Sequence, residues 1–86
     1  MKLTMNVDAG AGQYQVSTSL KCIVNWERKY KRKASDLAQG VSMEDLAFLA
    51  YEASKLAGVV VPIVFDDFID AIVTLDVVEE TPTQNP

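Results

Sequence analysis

Residues 42–58 have the sequence SMEDLAFLAYEASKLAG, and both ends of this segment carry helix signals. Ser42 is a preferred N-cap residue, and Asp45 stands three positions later, where an acidic side chain can return a hydrogen bond to the cap. Gly58 follows the last apolar residue, where a left-handed glycine ends many helices. The segment therefore predicts one complete helix, against which the other elements are expected to pack.

Helical phase divides this segment into two arcs at 100° per residue. The small and aliphatic side chains share one arc, which predicts a side that faces the core: Met43, Leu46, Ala47, Ala50, Ala53, Leu56 and Ala57. The opposite arc is polar: Glu44, Asp45, Glu52 and Lys55. Phe48 falls in the middle of the polar arc, and Tyr51 lies at its boundary. The phase thus predicts one large aromatic side chain in contact with water.

An exposed aromatic residue on a helix is typical of a surface that binds a protein partner or a second copy of the chain. We interpret Phe48, Tyr51, Glu52 and Lys55 as a candidate partner-binding surface. The alternative is that another element, either the N-terminal hairpin or residues 34–41, covers Phe48. Helical phase alone leaves both interpretations open.

The composition is that of one small domain with an uneven charge distribution. The chain has 86 residues, 49% of them hydrophobic, a net charge of −4 and a single cysteine, Cys22, so no internal disulfide is expected. Five of its 8 basic residues lie within residues 28–33, whereas residues 66–86 carry six acidic residues and no Lys or Arg. Such polarity favours electrostatic contact with a partner. The apolar run 59–65 is too short to span a membrane, and we expect neither a secretion signal nor membrane association.

The N-terminal part of the chain alternates polar and apolar residues. Residues 2–8 and 13–18 alternate on either side of a turn at 9–12, which predicts a β-hairpin with Leu3, Met5 and Val7 facing inward. A helix is predicted to follow, capped by Thr18 or Ser19 and fraying within residues 31–33. Its apolar face is predicted to consist of Leu20, Ile23, Val24, Trp26 and Tyr30.

The C-terminal half predicts shorter elements. Residues 33–41 are expected to form a loop with one turn near Leu37, and residues 59–64 an extended segment interrupted by Pro62. A third helix is predicted over residues 66–75, followed by a short extended piece at Val77 and Val78. The fold class is therefore α+β: a hairpin packed on about three helices. The predicted core contains Trp26, Leu46, Leu49, Phe68 and Ile72. The domain is expected to span residues 1–78, and residues 79–86 to form a disordered acidic tail.

The sequence predicts no catalytic, cofactor-binding or metal-binding residues. It contains no histidine and no phosphate-binding glycine loop, so it lacks the usual Ser-His, Cys-His and His-metal arrangements. Asp66, Asp67 and Asp70 are interpreted as a solvated acidic face rather than a cation site. Cys22 is interpreted as a small buried hydrophobic residue.

The basic run presents a second candidate partner-binding group: Arg28, Lys29, Lys31 and Arg32. These side chains could contact nucleic acid phosphates, with Trp26 and Tyr30 stacking on bases. Both aromatic residues are predicted to face the core, however, and the chain as a whole is acidic. We therefore favour a solvated or protein-binding patch over a nucleic-acid site.

The order of motifs along the chain resembles a known family. A hairpin leads into a helix with Trp26-Glu27-Arg28, then into a helix with Phe48-Leu49-Ala50-Tyr51, then into Phe65-Asp66-Asp67-Phe68-Ile69-Asp70 and an acidic tail with Thr81-Pro82-Thr83. This order resembles the small tail assembly chaperones of long-tailed, siphovirus-type bacteriophages, particularly those of actinobacterial phages.

The resemblance implies a non-enzymatic protein that binds the long tape measure protein and keeps it soluble while the tail tube assembles. It also implies action in the host cell cytoplasm and absence from the mature virion. Self-association and a longer product made by ribosomal frameshifting are further expectations from the family. Two alternatives remain: a small nucleic-acid-binding regulator that uses the basic patch, and a structural tail or head-completion protein.

Overall fold

The computed structural model describes residues 3–10, 12–37 and 39–78. The described residues form an α+β fold of three strands and four helices, one of the helices only a single turn long. In chain order these elements are β1 (Thr4–Asp8), β2 (Gln13–Ser17), α1 (Leu20–Tyr30), α2 (Ala34–Leu37), α3 (Met43–Leu56), α4 (Phe65–Ala71) and β3 (Thr74–Val78). The predicted α+β class is confirmed. The predicted tail at residues 79–86 lies outside the described residues.

The sheet is antiparallel, with the strand order β2-β1-β3. The predicted hairpin is present as β1 and β2, and its turn contains Gly10 at a φ of 86°. Cross-strand pairing sets two rows of apolar side chains on one face: Val16, Met5 and Val77 in one row, Tyr14, Val7 and Leu75 in the other. The helices pack against this inner face, where Met5 and Val7 are almost completely buried.

The C-terminal strand corrects the prediction of a helix over residues 66–75. Helix α4 ends at Ala71, and residues 74–78 pair with β1 instead. The alternation of Leu75 and Val77 around Asp76 matches the strand period, and Asp76 then lies on the outer face opposite Asn6. A helix carried through Asp76 would have placed this carboxylate on the apolar side. Pairing with β1 avoids that placement.

Helix α3 forms the centre of the molecule and confirms the predicted end signals. The Ser42 side chain accepts a hydrogen bond from the Asp45 amide, and the Asp45 carboxylate accepts one from the Ser42 amide, which completes a capping box. At the other end, Gly58 has a φ of 85°. The amides of Gly58 and Val59 donate to the carbonyls of Lys55 and Ser54, as in a Schellman motif.

Helix α1 follows the expected range, and α2 provides the turn expected near Leu37. The N-cap residue of α1, Ser19, has an extended backbone, but its side chain makes no capping hydrogen bond. Ile23 and Trp26 are buried as predicted, and so is Cys22, whereas Leu20 is 79% exposed because it opens the helix beyond the edge of the core. Lys31 ends the helix in the left-handed conformation, at a φ of 54°.

The predicted core is largely confirmed. Trp26, Leu49 and Phe68 are buried, and Leu46 and Ile72 are half-buried against the same cluster. None of the helices in the described part of the chain is long and apolar enough to cross a membrane.

Candidate protein-interaction surface

Phe48 is buried, so the prediction of its exposure is wrong. Its side chain is only 6% exposed. The ring centroid lies 5.5 Å from that of Phe65 at the start of α4 and 5.7 Å from that of Tyr30 at the end of α1, in edge-on contacts. Helical phase identified the arc correctly but could not show that α1 and α4 cover it. Neither of the covers considered from the sequence, the hairpin or residues 34–41, accounts for these ring contacts.

Tyr51 and Glu52 are also buried, which corrects their predicted place on a wet surface. The Tyr51 hydroxyl lies 2.7 Å from the carbonyl oxygens of both Pro62 and Ile63. Glu52 accepts a hydrogen bond from Asn25 Nδ2 at 2.7 Å and lies 2.9 Å from Lys55 Nζ. These two side chains therefore bind neighbouring elements of the same chain and are not available as direct partner contacts. A partner-binding role for Lys55, which is exposed, stays a prediction.

Helix α3 is enclosed on most of its circumference, and its polar side chains have internal partners. Asp45 accepts a hydrogen bond from Trp26 Nε1 at 2.9 Å, and Ser54 shares one with the Tyr14 hydroxyl at 2.9 Å. Met43 and Leu56, which phase placed on the core side, are 65% and 57% exposed because they lie at the two ends of the helix. Polar side chains of α3 can be buried because they have hydrogen-bond partners inside the protein. The amphipathic pattern therefore predicted the wrong exposed side for this helix.

The Asp45 carboxylate has a perturbed acidity. Burial by itself would raise its pKa, but the hydrogen bonds from Trp26 and from Ser42, together with the nearby Arg32 cation, hold the pKa of Asp45 below its usual value. Tyr30 shifts the other way: burial raises its pKa, and so does its hydrogen bond to the Glu44 carboxylate. Both shifts belong to structural contacts between α1 and α3.

The basic residues at the end of α1 are exposed, as predicted: Arg28, Lys29, Lys31 and Arg32. Lys29 Nζ lies 5.5–5.7 Å from the ring centroids of Tyr30, Phe48 and Phe65. Arg32 lies over the Trp26 ring and 3.6 Å from Asp36. These two cations therefore cover the aromatic cluster between the helices. Their binding to a partner stays a prediction.

The aromatic residues offer little to nucleic-acid bases. Trp26 is fully buried, and Tyr30 packs against Trp26 and Phe48. Base stacking needs an accessible ring face. A nucleic-acid interface on this patch would accordingly depend on phosphate contacts alone.

A groove opens where helix cover of the sheet ends. On the inner face of the sheet, Val16 and Met5 are only 5% and 0% exposed, whereas Val77 on the edge strand β3 is 43% exposed. Beside β3 lies a groove of about 560 Å³ between the start of α3, the end of α4 and the strand. Its apolar lining consists of Met43, Ala47, Ile69, Ile72, Val73 and Leu75. Sequence reasoning missed this surface because it assigned residues 66–75 to one helix. The alternation of residues 73–78 was the signal that could have revealed it.

A second apolar surface is the segment between α3 and α4. Val60 and Ile63 are each 97% exposed, and Val64 is 54% exposed. The Tyr51 hydroxyl and the Gly58 turn hold this segment against α3. Contiguous exposed aliphatic residues of this kind are common at protein-binding surfaces.

The described residues contain no group of three or more His, Cys, Asp or Glu side chains arranged to hold a metal ion. No known protein family matches the chain, and comparison with curated proteins and with solved structures found no similar protein. The arrangement of residues is therefore the only basis for choosing among functions, beside the order of motifs in the sequence.

Proposed function

We propose that this protein is a bacteriophage tail assembly chaperone that binds the tape measure protein and keeps it soluble while the tail tube forms. It acts by reversible, stoichiometric binding, without chemistry, in the cytoplasm of the host cell, and is absent from the finished virion. The order of motifs resembles that family. The observation that carries the proposal is the uncovered aliphatic groove beside β3.

The exposed aliphatic surface suits a protein that binds a client. Large apolar side chains lie at the surface on two sides of a small domain: Met43, Ile69 and Val73 along the groove, and Leu56, Val60 and Ile63 near the α3–α4 connection. Water contact with such groups is unfavourable, by about 25 cal/mol for each Å² of apolar surface. When a client binds, the apolar surfaces of both proteins are removed from water, so the client becomes more soluble.

Co-expression tests this proposal directly. The proposal expects a tape measure gene next to the gene for this chain. That client is produced with and without this chain, and its soluble fraction is measured after centrifugation. We expect the soluble fraction to rise severalfold, with a complex of fixed stoichiometry on size exclusion. An unrelated acidic protein of similar size serves as the control. Equal solubility in the presence and absence of this chain would refute the proposed function.

A further inference from the structure

Within the described residues, no helix covers the groove beside β3, whereas helices cover the inner face of β1 and β2. Val16 and Met5 are buried on this face, whereas their row partner Val77 is 43% exposed. Leu75, also on β3, is half-buried and lines the groove. Residues that line the groove, including Ile72 and Leu75, also pack against the main core. The groove is thus an open continuation of the core, with room beside α3 for another element.

The charges along the groove have one sign. Glu44 lines it from α3, Asp76 borders it from the edge strand β3, and none of the described lining residues is Lys or Arg. The Glu44 carboxylate is positioned by a 3.0 Å hydrogen bond from the Tyr30 hydroxyl. From residue 66 onward the sequence contains no basic residue at all. An occupant with basic side chains beside its apolar contacts would complement this lining.

We propose that this groove binds one amphipathic helix of the client, with an aliphatic stripe flanked by Lys or Arg. The proposal rests on the proposed function, since it names the chemistry of the client segment. A helix supplies side chains at i, i+3, i+4 and i+7 that can enter such a groove. β3 has five residues and is about 17 Å long, which matches roughly 11 helical residues.

Other segments of this chain fit the groove poorly. In a second copy, the large apolar side chains Ile23, Trp26 and Phe68 face the core. The exposed Val60 and Ile63 of a second copy lie in the 59–64 segment, which contains no Lys or Arg and so does not complement the acidic lining. The basic residues 28–33 of a second copy lie in the last turn of α1 and just beyond it, and the apolar side of α1 is already covered by the core. Residues 79–86 begin with two glutamates and contain no large aliphatic side chain. A foreign basic helix satisfies both the apolar lining and the charge.

The test uses two synthetic 15-residue helical peptides with the same leucine and alanine stripe, one flanked by lysines and the other by glutamates. Amide chemical shifts of the full-length wild-type protein are followed during titration with each peptide. We expect the lysine peptide to bind and to shift residues 43–47 and 69–76. The glutamate peptide should bind at least about tenfold more weakly, a difference that shrinks at high salt.

Two variants locate the contact. Val73→Asp and Met43→Asp change side chains that are each 65% exposed, so the fold should survive, as circular dichroism can check. Each should raise the Kd for the lysine peptide by about tenfold or more, because the variant loses one aliphatic contact and places a carboxylate against the apolar stripe of the peptide. Val60→Asp is the matched control, since Val60 is exposed but lies outside the groove. It should leave the Kd unchanged.

Three results would overturn the proposal: no binding of either peptide, equal binding of both, or shifts confined to residues 59–64 or to β2. A concentration-dependent dimer that Val73→Asp dissociates would also overturn it, because a second copy would then occupy the groove. The peptide titration contains no tape measure protein, so its result is independent of the co-expression experiment. If the lysine peptide binds but this chain does not raise tape measure solubility, the proposed function alone is refuted. If solubility rises but the peptide does not bind, the proposal that the groove binds a basic helix is refuted alone.

Discussion

Phe48 illustrates how one buried side chain connects three helices. Its ring touches Tyr30 of α1 and Phe65 of α4, and Phe65 in turn contacts Tyr51, whose ring lies 4.9 Å from that of Phe68. These edge-on and tilted ring contacts add to the free energy of simple burial. Phe48 is accordingly a core residue, and a substitution there should affect folding before it affects binding.

Replacement of Phe48 therefore has a defined expected cost. Phe48→Ala should lower the free energy of unfolding by about 3–5 kcal/mol, because it leaves a cavity among the aromatic rings. Met43→Ala on the same helix removes an exposed side chain and should change stability by less than about 0.5 kcal/mol. Urea unfolding followed by tryptophan fluorescence measures both. A Phe48→Ala protein as stable as wild type would contradict the buried position.

Asp45 should make the stability of the protein depend on pH in the acid range. Its pKa in the folded state is lowered, so its contribution is complete above the unfolded pKa of about 3.9 and is lost as the pH falls through the folded value. Asp45→Asn should cost about 1–3 kcal/mol at pH 7, and the difference from wild type should vanish at the acid end.

Unfolding free energies measured between pH 7 and pH 2 test this expectation. Asp70→Asn on the exposed side of α4 is the control and should change stability by less than about 0.5 kcal/mol. If the difference in unfolding free energy between Asp45→Asn and wild type stayed constant down to pH 2, the ionised carboxylate would be excluded as the source of the effect.

At the scale of elements, the end of α3 determines where the exposed 59–64 segment begins. Gly58 adopts a φ of 85°. Two hydrogen bonds close the last turn, one from the Gly58 amide to the Lys55 carbonyl and one from the Val59 amide to the Ser54 carbonyl. The Tyr51 hydroxyl then holds the carbonyls of Pro62 and Ile63. The direction of the chain between α3 and α4 is therefore set by a backbone motif and one side chain.

Gly58→Ala should destabilise the protein by about 1 kcal/mol, because an L-residue with a side chain is strained at this φ. The cost is purely conformational, since a Cβ at position 58 would meet nothing within 4 Å. Gly40→Ala also meets nothing within 4 Å and has no positive φ, so it should be neutral or slightly stabilising. Thermal unfolding of both variants, followed by circular dichroism, compares them. Equal melting temperatures would contradict the left-handed turn.

At the scale of the whole molecule, β3 joins the two halves of the chain. It pairs with β1 along its full length, so the last described element completes the ladder of the first, and β1 lies in the middle of the sheet. The same strand forms one wall of the groove. The pairing that adds β3 to the sheet therefore also forms one wall of the proposed binding surface.

Truncation measures the contribution of this strand. A chain that ends after Val73 should lose about 1–5 kcal/mol of stability, the sum expected for five cross-strand pairs. A chain that ends after Val78 retains β3 and is the matched control, with an expected loss smaller than that of the shorter chain. Hydrogen exchange of the β1 amides should accelerate only in the shorter chain. Unchanged exchange there would show that β1 does not need β3.

The elements with strong local signals were predictable from the sequence. The hairpin, the capped ends of α3, the buried Trp26 and the α+β class follow from alternation, capping chemistry and turn residues, which act over a few positions. The basic end of α1 and the acidic C-terminal half are likewise properties of composition.

Tertiary structure decided which faces of α3 are covered and which strand residues 74–78 pair with, although the alternation of these residues already favoured a strand. Phase reports only the sides of one helix, whereas cover of Phe48 depends on α1 and α4, which approach from distant positions in the chain. The pairing of β3 with β1 likewise joins residues about 70 positions apart, as in Thr4 with Val78. The exposed groove exists because that pairing extends the sheet beyond the helices. The location of the surface is therefore a non-local property, which no short window of sequence contains.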